Sequence, residues 1–130
     1  MLQIAGSPQS DHKAGELTGK RILVVEDDPV IAVDYLFELK SCGASEAIEP
    51  SNRQALDYLA DHAVDGAIVD VCLQDGCCTP VLEYLMARHI PFVVVSGDMF
   101  AMRHMATDAP VLSKPVSSSE VCLALSAVVD

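Results

Sequence analysis

The chain has 130 residues, 51% hydrophobic but only 5% aromatic, with no Trp. That is the length of one domain, whose core must be built from Val, Ile, Leu and Ala. Eight Lys and Arg against nineteen Asp and Glu give a net charge of −11. Phosphate backbones repel such a surface, so the expected partners are proteins and not nucleic acid. No apolar run approaches the ~20 residues that span a bilayer. The first twenty residues lack the basic start and apolar middle of a secretory signal. No membrane association and a cytoplasmic location are therefore expected. The cysteines (Cys42, Cys72, Cys77, Cys78 and Cys122) form no CxxC pair and read as reduced thiols.

Residues 1–20 carry Gly, Ser, Pro and Asp without periodicity and are expected to form a flexible, at most partly docked arm before a domain over 21–130. The domain opens with Ile22-Leu23-Val24-Val25, a short β-branched run that suits a strand buried on both faces. Asp28-Pro29 reads as an N-cap and first helical residue, opening a helix to about Lys40 that stops near Gly43. A weaker strand signal covers 44–49. Ser51 and Gln54 have capping-box spacing before a helix over 55–61. Ala67-Ile68-Val69 gives the next strand. Pro80 opens a helix to about Arg88, which Pro91 blocks, and Phe92-Val93-Val94-Val95 follows as a fourth strand. The stretch 98–108 suits only a short helix. Pro110-Val111-Leu112 is a last, weak strand, and Ser117 with Glu120 forms a second capping box before a helix over 121–129. Strand and helix thus alternate five times, the pattern of a doubly wound parallel α/β fold with right-handed crossovers.

Ligands in such folds sit beyond the carboxyl ends of the strands, where strand order reverses. The ends here are Glu26-Asp27-Asp28, Asp70, Ser96-Gly97 and Ser113-Lys114-Pro115. Singly, each acid reads as a helix or turn cap and Lys114 as a solvated charge. Together they bring acids, a hydroxyl and an ammonium to one edge. Two carboxylates ~4 Å apart repel by roughly 4 kcal/mol at an effective dielectric of 20. Converging Glu26, Asp27 and Asp70 therefore demand protonation or a cation. An all-oxygen set suits Mg²⁺. A divalent ion beside one carboxylate, with a Lys and a hydroxyl nearby, is equipment for phosphoryl transfer to that carboxylate.

These four segments, in this order, resemble the receiver domain of bacterial two-component response regulators over about residues 20–130. The resemblance implies the (βα)5 flavodoxin-like fold with strand order 2-1-3-4-5. It implies that Asp70 is the phosphoacceptor, with Ser96 and Lys114 contacting the phosphoryl group. It implies Mg²⁺ held directly by Asp27 and Asp70, largely through water by Glu26, and by the backbone carbonyl of Cys72. The Lys114–Pro115 bond is expected to be cis. The implied partners are a sensor histidine kinase or histidine phosphotransfer protein as donor, and a downstream protein that reads the phosphorylated state. The phrase Pro91-Phe92-Val93-Val94-Val95-Ser96-Gly97 is similar to single-domain receivers with a Phe-Ala-Thr-Gly-type motif that partner kinases of the HWE class. With no room for an effector domain, output is expected through protein contacts, or the chain acts as a phosphate sink.

Two departures stand out. The position three residues before the lysine, usually Tyr or Phe in the family, is Val111, so the ordinary aromatic switch is missing. The intervals Asp70–Ser96 and Ser96–Lys114 are short, which implies a shortened fourth helix between the fourth and fifth strands. Two other readings stand beside the phosphoacceptor one. A degenerate receiver would bind partners without phosphorylation. A small phosphatase with Asp70 as nucleophile would need a second acid two residues on, where Cys72 stands. A thiol redox sensor at Cys72, Cys77 and Cys78 is disfavoured because an acidic pocket raises thiol pKa. His12, His62, His89 and His104 stand at no telling spacing, and Met99, Met102 and Met105 read as core or partial cover.

Overall fold

Short apolar runs without polar alternation are stable only where both faces are covered. The computed structural model, which describes residues 17–70, 79–97 and 108–129, covers them with helices on each side. In chain order the elements are β1 (Arg21–Val25), α1 (Pro29–Ser41), β2 (Ser45–Glu49), α2 (Asn52–Asp61), β3 (Gly66–Asp70), α3 (Thr79–Ala87), β4 (Phe92–Ser96), β5 (Val111–Ser113) and α4 (Ser118–Ser126). The strands form one parallel sheet in the order β2-β1-β3-β4-β5. This is the flavodoxin-like arrangement that the receiver resemblance implies. The fourth helix expected between β4 and β5 falls on 98–107, outside the described residues.

Alternation along each strand divides the core in two. Leu23, Val25, Ala67, Val69 and Val94 face Ala55 and Leu59 of α2 and Val81, Leu82 and Leu85 of α3. Ile22, Val24, Ile68, Val93 and Val95 face Tyr35 and Leu39 of α1 and Val121, Cys122 and Leu125 of α4. Caps set where the helices begin. Asp28 accepts from Val30 N at 2.9 Å with Pro29 following, Ser51 accepts from Gln54 N, and Ser117 with Glu120 completes a capping box. Gly43, at φ +83°, turns the chain from α1 into β2.

Several boundaries differ from the sequence reading. α2 begins at Asn52, directly after its cap, and α4 starts at Ser118 and ends at Ser126. The larger correction is at the N-terminus, where the expected arm reaches residue 20. Leu17 is fully buried with the α1/α4 cluster, its N–H donates to Cys42 O at 3.0 Å, and Gly19 N donates to Gly43 O at 3.2 Å. Residues 17–20 therefore pack as part of the domain. Apolar burial of one Leu and two backbone bonds outweigh the polar composition around it. The rest of the expected arm, residues 1–16, lies outside the described residues.

Candidate functional site

The pairing register assembles the strand ends into one edge. Val25 pairs with Val69, so the residues that follow, Glu26 and Asp70, are neighbours across β1 and β3. Asp70 pairs with Val95 and Ser96 with Ser113, and Lys114 N donates to Ser96 O at 2.8 Å. Glu26, Asp70 and Lys114 lie two residues beyond Val24, Ile68 and Leu112, all of which join the α1/α4 cluster. The period of two directs these three side chains to the same side of the sheet. Ser96, of opposite parity to Val95, is fully buried.

Charge at this edge is concentrated and nearly dry. Asp70 is 2% exposed and Glu26 is 3% exposed. Lys114 Nζ donates to Asp70 Oδ2 at 2.8 Å while its own side chain stays a third exposed. Glu26 Oε2 accepts from Asp28 N at 3.1 Å, but Oε1 is buried with no hydrogen-bond partner. Burial, a hydrogen bond shared with Asp70 and the Asp70 charge push the Glu26 carboxyl up to about 8, against the pull of Asp28 N–H and Lys114. Burial and the Asp70 charge favour the protonated form of Glu26, because one ammonium cannot balance both acids in so little water.

The structure does not bring all the predicted residues together in the same way. Glu26, Asp70 and Lys114 converge. Asp27, half-buried at the end of β1, does not complete a ready-made cluster, for among the described residues no three His, Cys, Asp or Glu side chains stand as a metal-binding group. Three converging carboxylates would repel, and Asp70 is already taken up by Lys114. The Cys72 carbonyl lies outside the described residues, as do Cys77, Cys78, His12, His104 and the three Met of 98–107. Asp28 is exposed and caps α1, which separates it from the acid pair. Val111 is half-buried against the α2/α3 cluster, and the Lys114–Pro115 bond is cis. His62 lies away from the site, stacked on Tyr58 at 4.1 Å. The sequence reading passed over Tyr35, a buried ring on α1 whose phenol is held well above its usual range by burial and by the charges of Glu26 and Asp70. Its place at helical spacing from Ile31 and Leu39 marks it only as core.

The described side chains form no complete ligand set, but the chemistry of the buried acid pair suits a hard divalent cation. The donors are all oxygen, one buried carboxylate oxygen has no partner, and the burial and charge that raise the Glu26 carboxyl are what a cation would offset.

A doubly wound sheet with an acid pair and a lysine at its carboxyl edge has the fold of response-regulator receiver domains. The comparisons bear this out for the fold. The chain superposes on a response regulator receiver protein from Sinorhizobium medicae with a TM-score of 0.73 at 23% identity, covering 84% of this chain and 93% of that one. It superposes on the receiver domain of a sensor histidine kinase from Pseudomonas aeruginosa with a TM-score of 0.74 at 22% identity, over 85% and 98% of the two chains. That structure is described with a magnesium ion coordinated in the active-site cleft. A sensor protein from Polaromonas sp. matches with a TM-score of 0.71 at 25% identity, over 85% and 95%. No protein-family model and no curated protein sequence matches the chain. No helix among the described residues is long and apolar enough to cross a membrane.

Proposed function

We propose that this domain is the phosphoacceptor of a two-component system, taking a phosphoryl group on Asp70 from a histidine kinase or histidine phosphotransfer protein. The observation that carries this reading is the Lys114 Nζ–Asp70 Oδ2 pair at 2.8 Å beside buried Glu26. An Asp paired with an ammonium in a nearly dry edge is a nucleophile with its counter-charge already in place. A carboxylate oxygen of Asp70 attacks phosphorus as the P–N bond to the donor imidazole breaks. The bonding pair stays on nitrogen, and an imidazole protonated at its other nitrogen leaves neutral. An acyl phosphate is formed. Lys114 follows the incoming charge from the carboxylate to a phosphoryl oxygen, and the Ser96 hydroxyl donates to another.

Glu26, Asp27 and Asp70, with the Cys72 carbonyl, would hold Mg²⁺, which when bound supplies positive charge to the acids and the phosphoryl oxygens. The phosphorylated state is read by a protein partner, in keeping with the acidic surface. Donor kinases of the HWE class agree with the Pro91–Gly97 phrase. Phosphoramidate, a small P–N donor, tests the reading. It should load the protein in the presence of Mg²⁺ and fail with a chelator. Loading that ignores the chelator would overturn the Mg²⁺ assignment, and no loading would overturn the acceptor role.

A further inference from the structure

A helix on the surface of a domain turns an apolar face inward and a polar face to water. α1 departs from that pattern. Ala32, Tyr35 and Leu39 bury its inner side, yet Val30, Val33 and Phe37 form a second apolar row that is 71%, 45% and 69% exposed. Their spacing of three and then four residues sets them on one stripe, one above the other. Among the described residues, the other large apolar side chains left exposed, Met86, Leu123 and Val128, form no such row. Single ones are ordinary surface. A helix that is apolar on both sides calls for a cover on both sides.

The chain itself brings a cover to the foot of this stripe. Leu17 is fully buried, and its N–H donates to the carbonyl of Cys42, the residue that caps the C-terminal end of α1. Residues 1–16 are therefore tethered at that end. Met1, Leu2 and Ile4 are their large apolar members, and 5–16 hold only Ala, Gly, Ser, Pro and polar or charged residues. At a rise of about 1.5 Å per residue, the stripe runs from about 7 Å to about 18 Å from Cys42 along the helix. A flexible tether of the thirteen residues between Ile4 and Leu17 has an r.m.s. length of about 20 Å. A tether whose r.m.s. length matches the span gives the highest effective concentration, in the millimolar range. A second copy of the chain fits less well. Three side chains offer roughly a few hundred Å², short of the ~800 Å² per partner of a stable interface. Two copies, each at −11, also repel.

We propose that the segment Met1–Ile4 folds back along α1 and covers the Val30, Val33 and Phe37 stripe of its own chain. The stripe starts two residues after Asp28, whose N–H is bonded to Glu26, so the cover reaches the acid edge and shields that flank of α1 from other proteins. This contact is independent of whether Asp70 accepts a phosphoryl group. The chain has no Trp, so Phe37→Trp places a single indole in the stripe. In the full chain its emission should lie toward the blue and be quenched severalfold less by acrylamide than in the same chain carrying Leu2→Ser and Ile4→Ser. Neither reading should change with protein concentration. If Phe37→Trp disturbs the helix, as far-ultraviolet circular dichroism would show, nuclear Overhauser contacts from the Ile4 methyls to the Phe37 ring in the unsubstituted chain carry the same expectation. An indole already open to water in the full chain, or missing Ile4–Phe37 contacts, would overturn the proposal. A blue emission that survives Leu2→Ser with Ile4→Ser would overturn it too, with growth on concentration naming a second copy as the occupant instead.

Discussion

The ammonium of Lys114 lies 2.8 Å from Oδ2 of Asp70 across a sequence separation of 44 residues. Between them stands β4, whose Ser96 carbonyl accepts from Lys114 N and so fixes the height of β5 against Asp70. The sheet register, and not a local motif, makes this pair. Its partner acid, Glu26, reaches the same place from β1 through the Val25–Val69 pairing.

Lys114→Met keeps most of the stem and removes the charge, leaving Asp70 buried beside Glu26 without its ammonium. It should cost about 1–3 kcal/mol in urea unfolding near pH 7, discounted because the lysine is a third exposed. Asp70→Asn should cost less, since it leaves a partly exposed ammonium without its partner instead of a buried carboxylate. A double-mutant cycle on the two changes should show coupling of at least ~0.5 kcal/mol. Additive effects would mean that the pair does not hold the edge together.

The proton on Glu26 makes stability depend on pH. An unfolded Glu releases it near its ordinary 4.5, whereas the folded carboxyl keeps it to about 8. Between those values the native state binds the extra proton, so metal-free stability should fall as pH rises from about 4.5 through about 8. Glu26→Gln should flatten that slope in thermal melts. Millimolar Mg²⁺ should flatten it too, by standing in for the proton. A wild-type slope that survives both changes would place the titration elsewhere.

Asp28 is the cap of α1 and not a member of the acid cluster. Asp28→Asn, an equally good cap, should leave stability and phosphoryl loading near wild type. Asp28→Ala should cost about 1 kcal/mol through the lost bond to Val30 N while loading persists. Asp27→Asn should instead weaken the Mg²⁺ effect on the melting temperature. The opposite pattern would shift the acidic pair by one residue.

Leu17→Ala should cost 2–5 kcal/mol by the usual scale for a buried leucine, because Leu17 is fully enclosed. Gly43→Ala should destabilise as well. Its φ is +83°, and an added Cβ would stand 2.5 Å from Thr18 Oγ1, inside the turn that docks Leu17. Neutral outcomes would return residues 17–20 to an arm.

What the sequence made legible followed from local chemistry. Asp28-Pro29, Ser51 with Gln54, and Ser117 with Glu120 each satisfy helix N–H groups where they were expected to. The apolar runs, lacking alternation, required a parallel sheet covered on both sides, and so placed Glu26, Asp70, Ser96 and Lys114 at its carboxyl edge. Three features were not legible. Leu17 is a single apolar residue among polar neighbours, and its burial depends on Cys42 and Gly43, 25 residues or more downstream in the chain. The partnerless oxygen of Glu26 arises from how two strands bring acids together, which no spacing encodes. Tyr35 repeats the pattern of any core position of α1, and only the packed structure shows that it and Lys114 line the same cavity.

The central claim is that Asp70 is the phosphoryl acceptor, and mapping the modified residue tests it most directly. The protein would be incubated with Mg²⁺ and acetyl phosphate, and the label mapped by mass spectrometry after hydroxylamine treatment. A single hydroxylamine-sensitive label on Asp70, absent from Asp70→Asn and retained in Asp28→Asn, is the predicted result. A label that persists in Asp70→Asn, or that maps to Glu26, Asp27 or a serine, would contradict the account.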